Sequence, residues 1–476
     1  MTVRAVMTAP PRRRPADDLR AFVADTVDRA VAAHAETVVV SVPAPLVSSE
    51  ALLRVEPGDA GEQTALLWHP EADGLYAFSG VGTCWRIDLS GPHRFADLRQ
   101  QARHIWRDLV SASHPDVDAP SARFFGGLAF SVGAADDAPW RGFGDGGFVL
   151  PRLRYASDGE AASLSLAVRA EEWHGERESM LDRLDHTLAG LAAADRVVRL
   201  VPELITEARE VHVAPIEQWT AQIDAIRGVI RDGGFRKIVA ARRSEVELAQ
   251  TANPGAVLER LSRGLVASTR FAFCRPGATF LGATPERLVR RIGRTVLTDA
   301  LAGSIAVGET AGDVLLASDK DREEHRLVVE DIVTRLRPLT ERLDVAPRPE
   351  IRALREVLHL LTPIAGELRS PAPDVIELAE ALHPTPAVGG VPTADALHWI
   401  TTHEPAPRGW YAGPIGWFDA AGDGDFAVAL RSCVLAGHRA YLYAGAGIVA
   451  DSDPVLEYHE TELKKQAMLA ALGVAS

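Results

Sequence analysis

Three strand-like runs near the C-terminus constrain the fold most: RGWYAGPIGWFD (408–419), DFAVALRSCVL (425–435) and AYLYAGAGIV (440–449). Only short turns separate them, so they are expected as hairpins within an antiparallel sheet. Upstream, FRKIVAARRSEVEL (235–248) alternates as a strand. TALLWHP (64–70), GLYAFSGVGTCWRIDL (74–89) and FFGGLAFSVG (124–133) have strand content punctuated by glycine. Helical segments stand between these groups. Ile216, Trp219, Ile223, Ile226 and Ile230 recur at spacings of three and four and predict an amphipathic helix stopped by Asp232-Gly233-Gly234. A second stripe, Val328, Val329, Ile332, Val333 and Leu336, marks a helix over 321–337, and others fall around 94–110 and 175–195. The last helix opens with Asp453 as N-cap and Pro454 in its first position, and closes near Gly473. Strand groups separated by helices predict an α+β protein with antiparallel sheets.

Composition narrows the function. A chain of 476 residues that is 47% hydrophobic can bury a sizeable core, which excludes low-complexity disorder. No window approaches the roughly 18 consecutive apolar residues of a membrane helix. Residues 1–18 are basic and proline-rich without an apolar stretch, and are expected as a disordered tail rather than a secretion signal. Residues 19–210 carry little visible chemistry and residues 211–476 carry most of it; the two parts are expected to share one structural domain. A net charge of −14 (51 basic against 65 acidic residues) argues against a nucleic-acid surface, and means that an anionic substrate must meet locally gathered cations. Cys84, Cys274 and Cys433 are scattered with no CxxC spacing, which favours a reducing, cytoplasmic setting over disulfides or a zinc site. No glycine-rich phosphate loop follows a strand, and HExxH and GxSxG are absent.

Two carboxylate pairs stand out. Asp321 with Glu324, and Glu457 with Glu460, are each three residues apart near a helix start, so each pair shares one helical face. Brought together, such faces would suit a hard divalent cation such as magnesium. The plainer alternative is that these acids complement helix dipoles and that Glu460–Lys464 is a surface pair. Lys237, after a Gly-Gly turn, is either a buried base or a solvated strand-end charge. Arg431 is expected mid-strand on one face with Ala427, Ala429 and Cys433, either gripping a substrate carboxylate or pairing with an acidic neighbour in the core. Gly445 and Gly447 allow a ligand close to the backbone, or mark only a bulge. The Asp423-Gly424-Asp425 run reads as a hairpin turn. These residues alone reach an acid–base enzyme with a magnesium site for a small dicarboxylate.

The motifs KIVAAR, GATPERLV, ALAGS, KDREEH, HLLTPIAGEL, LHPTPAVGGVP, RGWYAGPIGW, ALRS, AGAGIVADSDP and ETELKKQ follow in order over roughly 215–470. Together they resemble the chorismate-utilising enzymes, related to anthranilate synthase component I; FFGGLAF extends the likeness weakly upstream. The resemblance implies one large α+β fold of two antiparallel sheets packed face to face with helices outside. HLLTP and LHPTPAVGG are most similar to the isochorismate synthases, which implies conversion of chorismate to isochorismate. On that resemblance Lys237 is the base that activates water and Glu286 the acid that protonates the departing hydroxyl. Lys237 must then be uncharged and Glu286 protonated, conditions that a desolvated setting beside a cation and an apolar setting, respectively, would favour. Glu324 and Glu460 are implied as direct magnesium ligands, with Asp321 and Glu457 as outer partners. Tyr411 and Arg431 hold the enolpyruvyl carboxylate, while Gly303, Ser304, His359, Gly445 and Lys464 line the pocket. A salicylate synthase, which also eliminates pyruvate, and an ammonia-using anthranilate-type synthase are the neighbouring alternatives. The enzyme is expected in the cytoplasm, as a monomer with a small-molecule substrate, and menaquinone, a catechol or salicylate siderophore and another natural product stay open as the destination of its isochorismate. The sequence departs from the pattern at Ala300, where relatives place proline, and at IAVG, where they place arginine before the glycine.

Overall fold

A computed structural model describes residues 16–56, 65–70, 75–197, 208–213, 215–264 and 268–474. Of the expected N-terminal tail, residues 1–15 lie outside the described residues, and residues 16–18 open a helix, Ala16–Ala32.

The strand Gly146–Ser157 joins two arms of one continuous hydrogen-bonded sheet. On one side it pairs with Ala77–Leu89. That strand leads through Ala65–His69, Thr269–Arg275, Ala278–Thr284, Ser432–Ala436 and Arg439–Ile448 to Lys237–Leu248. On the other side the first residues of Gly146–Ser157 pair with Arg123–Leu128. That arm continues through Pro414–Asp419, Gly424–Val428, Arg287–Ile292 and Thr295–Ala306 to Val357–Leu368. All of these pairings are antiparallel; the pair Thr37–Pro43 with Leu109–Ser113 is parallel.

Alternation along each strand explains why the arms fold onto each other. Phe271, Phe273, Phe280 and Val434 of the first arm and Val289, Val296, Ile415 and Phe426 of the second belong to one buried cluster, so apolar faces meet between the arms. The opposite faces take helices. Ala272, Leu281 and Cys433 point away from the shared core and pack with Leu258, Leu261, Met468 and Leu472 of the helices Pro254–Gly264 and Pro454–Leu472. The expected helix stripes are present: Trp219, Ile223, Ile226 and Ile230 are buried in Ile216–Arg231, and Leu327, Val328, Ile332 and Leu336 in Asp319–Leu336. Asp453 caps the last helix by accepting from the amides of Val455 and Leu456, and Gly473 ends it with φ +84°. Among the described residues no helix is long and apolar enough to cross a membrane.

The run 425–435 differs from expectation. It is two strands, Gly424–Val428 and Ser432–Ala436, and they belong to different arms. Arg431 sits at the crossing with φ +48°, so it is not mid-strand. The turn also cancels its expected shared face: Ala427 and Ala429 face the core between the arms, whereas Cys433 faces the helices. Period-two alternation holds only while a strand is unbroken, and a residue in left-handed conformation breaks it. The expected strand 408–419 likewise begins only at Pro414; residues 408–413 form a turn with Ala412 at φ +60°.

Candidate active site

The cleft opens where the chain crosses between the arms. Glu286 comes from the corner between Ala278–Thr284 and Arg287–Ile292, with its amide held by the Thr284 hydroxyl at 3.3 Å. Gly303 and Ser304 come from a bulge in Thr295–Ala306, and His359 from the strand beside it. Tyr411 and Arg431 come from the two turns with positive backbone angles, and Glu324, Glu460 and Lys464 from two helices. These residues and Gly445 line one cleft. Lys237, Asp321 and Glu457 stand just outside its lining.

At one end of the cleft Arg431 stands apart from carboxylates, while Lys464 is paired with one. Arg431 donates to the Lys464 carbonyl at 3.0 Å and to His359 Nε2 at 3.2 Å, and among the described residues it has no carboxylate partner. Burial, against the pull of Tyr411 and Glu460, brings its pKa down to about 10, so it stays charged at neutral pH. His359 is held well below the ordinary histidine range by burial and by Arg431. A neutral imidazole fits its contacts: Nδ1 faces Ser304 Oγ at 3.0 Å and the Gly303 carbonyl at 3.1 Å, and Nε2 accepts from Arg431. Tyr411 stacks on Tyr443 at 5.3 Å, and burial pushes its phenol up to about 12. The Lys464 ammonium bridges the Gly445 carbonyl at 2.9 Å and Glu460 at 2.6 Å.

Two glutamates meet different fates. Glu286 is 4% exposed; burial first and Asp299 second raise its carboxyl to about 8, against Lys237 and Lys464. It is therefore protonated at neutral pH, as a proton donor must be. Burial also works to raise Glu324, but Lys237 overrides it and the carboxyl ends below its ordinary value. Lys237 is fully buried, and its Nζ lies 2.9 Å from Glu324 Oε1. The charge in contact with Lys237 is thus a carboxylate, where a neighbouring cation was expected. Gly447 makes this approach feasible: an added Cβ would lie 2.4 Å from Glu324 Oε1 and 2.8 Å from Lys237 Cε. Gly303, at φ +77°, similarly passes against Asp321, whose Cβ would lie 3.2 Å from an added Cβ.

The two helices that carry the carboxylate pairs are linked through Lys320, and Glu324 and Glu460 line the same cleft. Lys320 lies 2.8 Å from Glu457 on the last helix and also feels the charges of Glu324 and Asp321 on its own helix. The carboxyls of Asp321 and Glu457 are raised by burial and then by the neighbouring Glu324 and Glu460, respectively, a sign of negative charge packed in excess. An all-oxygen, charge-crowded donor set fits a hard cation. As they stand, no three His, Cys, Asp or Glu side chains among the described residues converge closely enough to hold an ion. The sequence reading missed Tyr443, Lys320 and Asp299. Tyr443 had a visible signal, since it precedes Gly445 by two residues on one strand face; the other two are placed by packing alone.

The fold and this cleft define the class. A family model described as "Chorismate binding enzyme" matches residues 25–473, and the chain belongs to that family. Within it, the chain is similar to proteins named for one reaction. The salicylate biosynthesis isochorismate synthase of Pseudomonas aeruginosa is 38% identical over 406 residues, 83% of each chain. Isochorismate synthase MenF of Bacillus subtilis is 36% identical over 359 residues, 73% of this chain and 74% of that one. The solved structure of MenF, the menaquinone-specific isochorismate synthase from Escherichia coli, matches with a TM-score of 0.74 at 28% identity, covering 95% of this chain and 100% of that one. Anthranilate synthase component I from Streptococcus pneumoniae shares the fold, with a TM-score of 0.64 at 21% identity over 83% of this chain and 92% of that one.

Proposed function

We propose that this chain is an isochorismate synthase, an isomerase that adds water at C2 of chorismate while the C4 hydroxyl leaves. The observation that carries this reading is the buried Glu286, protonated up to about pH 8, within the field of the equally buried Lys237. In its amine form Lys237 takes a proton from the incoming water. Glu286 gives its proton to the departing hydroxyl, so one water is gained and one lost. Arg431, without an acid partner, takes the enolpyruvyl carboxylate, and the Tyr411 phenol lies beside it as a donor. Ser304, His359, Gly303, Gly445 and Lys464 shape the wall that fixes the ring, since holding the reacting centre between acid and base lowers the barrier. Glu324 and Glu460, with Asp321 and Glu457 behind them, would hold magnesium, which would supply positive charge for the ring carboxylate.

The enzyme is placed in the cytoplasm, a setting that the unpaired Cys84, Cys274 and Cys433 support, and it is read as a monomer. Residues 19–210 and 211–476 are read as one unit, because strands of both halves pair at Ala65–His69 with Thr269–Arg275 and at Arg123–Leu128 with Pro414–Asp419. The test is incubation of purified protein with chorismate, with and without magnesium, followed by chromatography. Isochorismate formed only with the metal is the expected outcome. Pyruvate release would replace the reading with a salicylate synthase, and an ammonium-dependent aminated product with an ammonia-using synthase. Turnover no faster than that of Lys237→Ala would overturn it altogether.

A further inference from the structure

Three of the four clustered carboxylates already hold a lysine. Lys237 contacts Glu324 at 2.9 Å, Lys464 contacts Glu460 at 2.6 Å, and Lys320 contacts Glu457 at 2.8 Å. The fourth, Asp321, takes the Ser318 hydroxyl. Lys237 and Lys464 have duties toward the water and the substrate, so their contacts need no other account. Lys320 has none. It stands in the first turn of Asp319–Leu336, its side chain is 42% exposed, and it reaches from the surface to a carboxylate that is 3% exposed.

The geometry points to Lys320 as a resident counter-cation that holds Glu457 against the divalent metal and thereby sets the affinity of the metal-free enzyme. An ammonium and a divalent cation repel each other, and both draw on the same carboxylate cluster. The metal therefore binds Glu457 or its bound water only by displacing or sharing Lys320. Removing the ammonium leaves Glu457 without this partner and makes the cluster one unit more negative. Both changes favour the metal. Lys320 is accordingly a positioning residue: it acts on the metal through Glu457 and touches neither substrate nor reacting atoms.

This inference rests on the magnesium site proposed above, and the test separates the two. Manganese, as a magnesium probe, is titrated into the purified full chain without chorismate and followed by the EPR signal of the free ion, with magnesium calorimetry as a second readout. Wild type that binds neither ion removes the magnesium site itself. Given wild-type binding, Lys320→Ala and Lys320→Met are expected to bind about two- to fivefold more tightly, and Lys320→Arg as wild type. Unchanged or weaker binding in the two neutral variants overturns the role of Lys320. In a Glu457→Gln background the effect of Lys320→Ala is expected to vanish; an undiminished effect there would show that Glu457 does not carry it, and would also overturn the proposal. Melting curves guard against misfolding, since metal should raise the melting temperature of Lys320→Ala by more than that of wild type.

Discussion

The two ends of the cleft treat the same chemical group in opposite ways. Glu286 and Glu324 are both glutamates, largely removed from water, and both lie in the field of Lys237. Among the described residues Glu286 has no cation in contact, so burial wins and its carboxyl rises to about 8. Glu324 lies 2.9 Å from Lys237 Nζ, and contact at that distance outweighs the loss of solvent for its carboxyl. Contact with a cation thus separates an anion from an acid. Burial by itself says which form is costly; a partner in contact decides which form is present.

The comparison breaks most visibly if the pair is disabled. Lys237→Ala and Glu286→Gln should each lower kcat about 10²- to 10⁴-fold in a chromatographic assay of chorismate conversion. Wild-type activity should fall as pH passes about 8, where Glu286 loses its proton; a rate that keeps rising there would remove Glu286 as the acid. Next in size, Arg431→Ala should cost about 1.5–3 kcal/mol of substrate binding, read as a rise in KM with kcat less affected. Gly447→Ala drives a methyl into the Glu324–Lys237 contact, and should cost about 1–3 kcal/mol of stability by chemical denaturation. The smallest effect concerns pH and stability. A carboxyl raised in the folded state contributes stability that is complete below its ordinary value and is lost as pH rises through about 8. Glu286→Gln, which cannot ionise, should therefore lose less melting temperature than wild type between pH 6 and pH 9.

Legibility followed the range of the interactions involved. The helices Ile216–Arg231 and Pro454–Leu472 were readable because their apolar spacing, caps and stop residues are all local. Carboxylates three apart could be placed on one helical face for the same reason. The motif resemblance then named the residues of the cleft, without saying what each would touch. Arg431 shows the limit: a strand pattern runs through it, yet the chain turns there with φ +48° and passes to the other arm.

Local sequence therefore made many of the elements readable, with the α+β class and the types of chemical group available, but not the strands Gly146–Ser157, Thr269–Arg275, Ala278–Thr284, Arg287–Ile292, Thr295–Ala306 and Val357–Leu368 that build the arms. Only the tertiary structure decided which charges are neighbours. It set Lys237 against Glu324, gave Arg431 a carbonyl and a histidine in place of an acid among the described residues, and brought Lys320 to a glutamate on another helix. The reason is physical: helix and strand preferences act over a few residues along the chain, whereas the protonation of a buried group depends on charges within a few ångströms in space. Those neighbours come from segments far apart in the chain, 87 residues for Lys237 and Glu324 and 137 for Lys320 and Glu457, and only the packed arms bring them together.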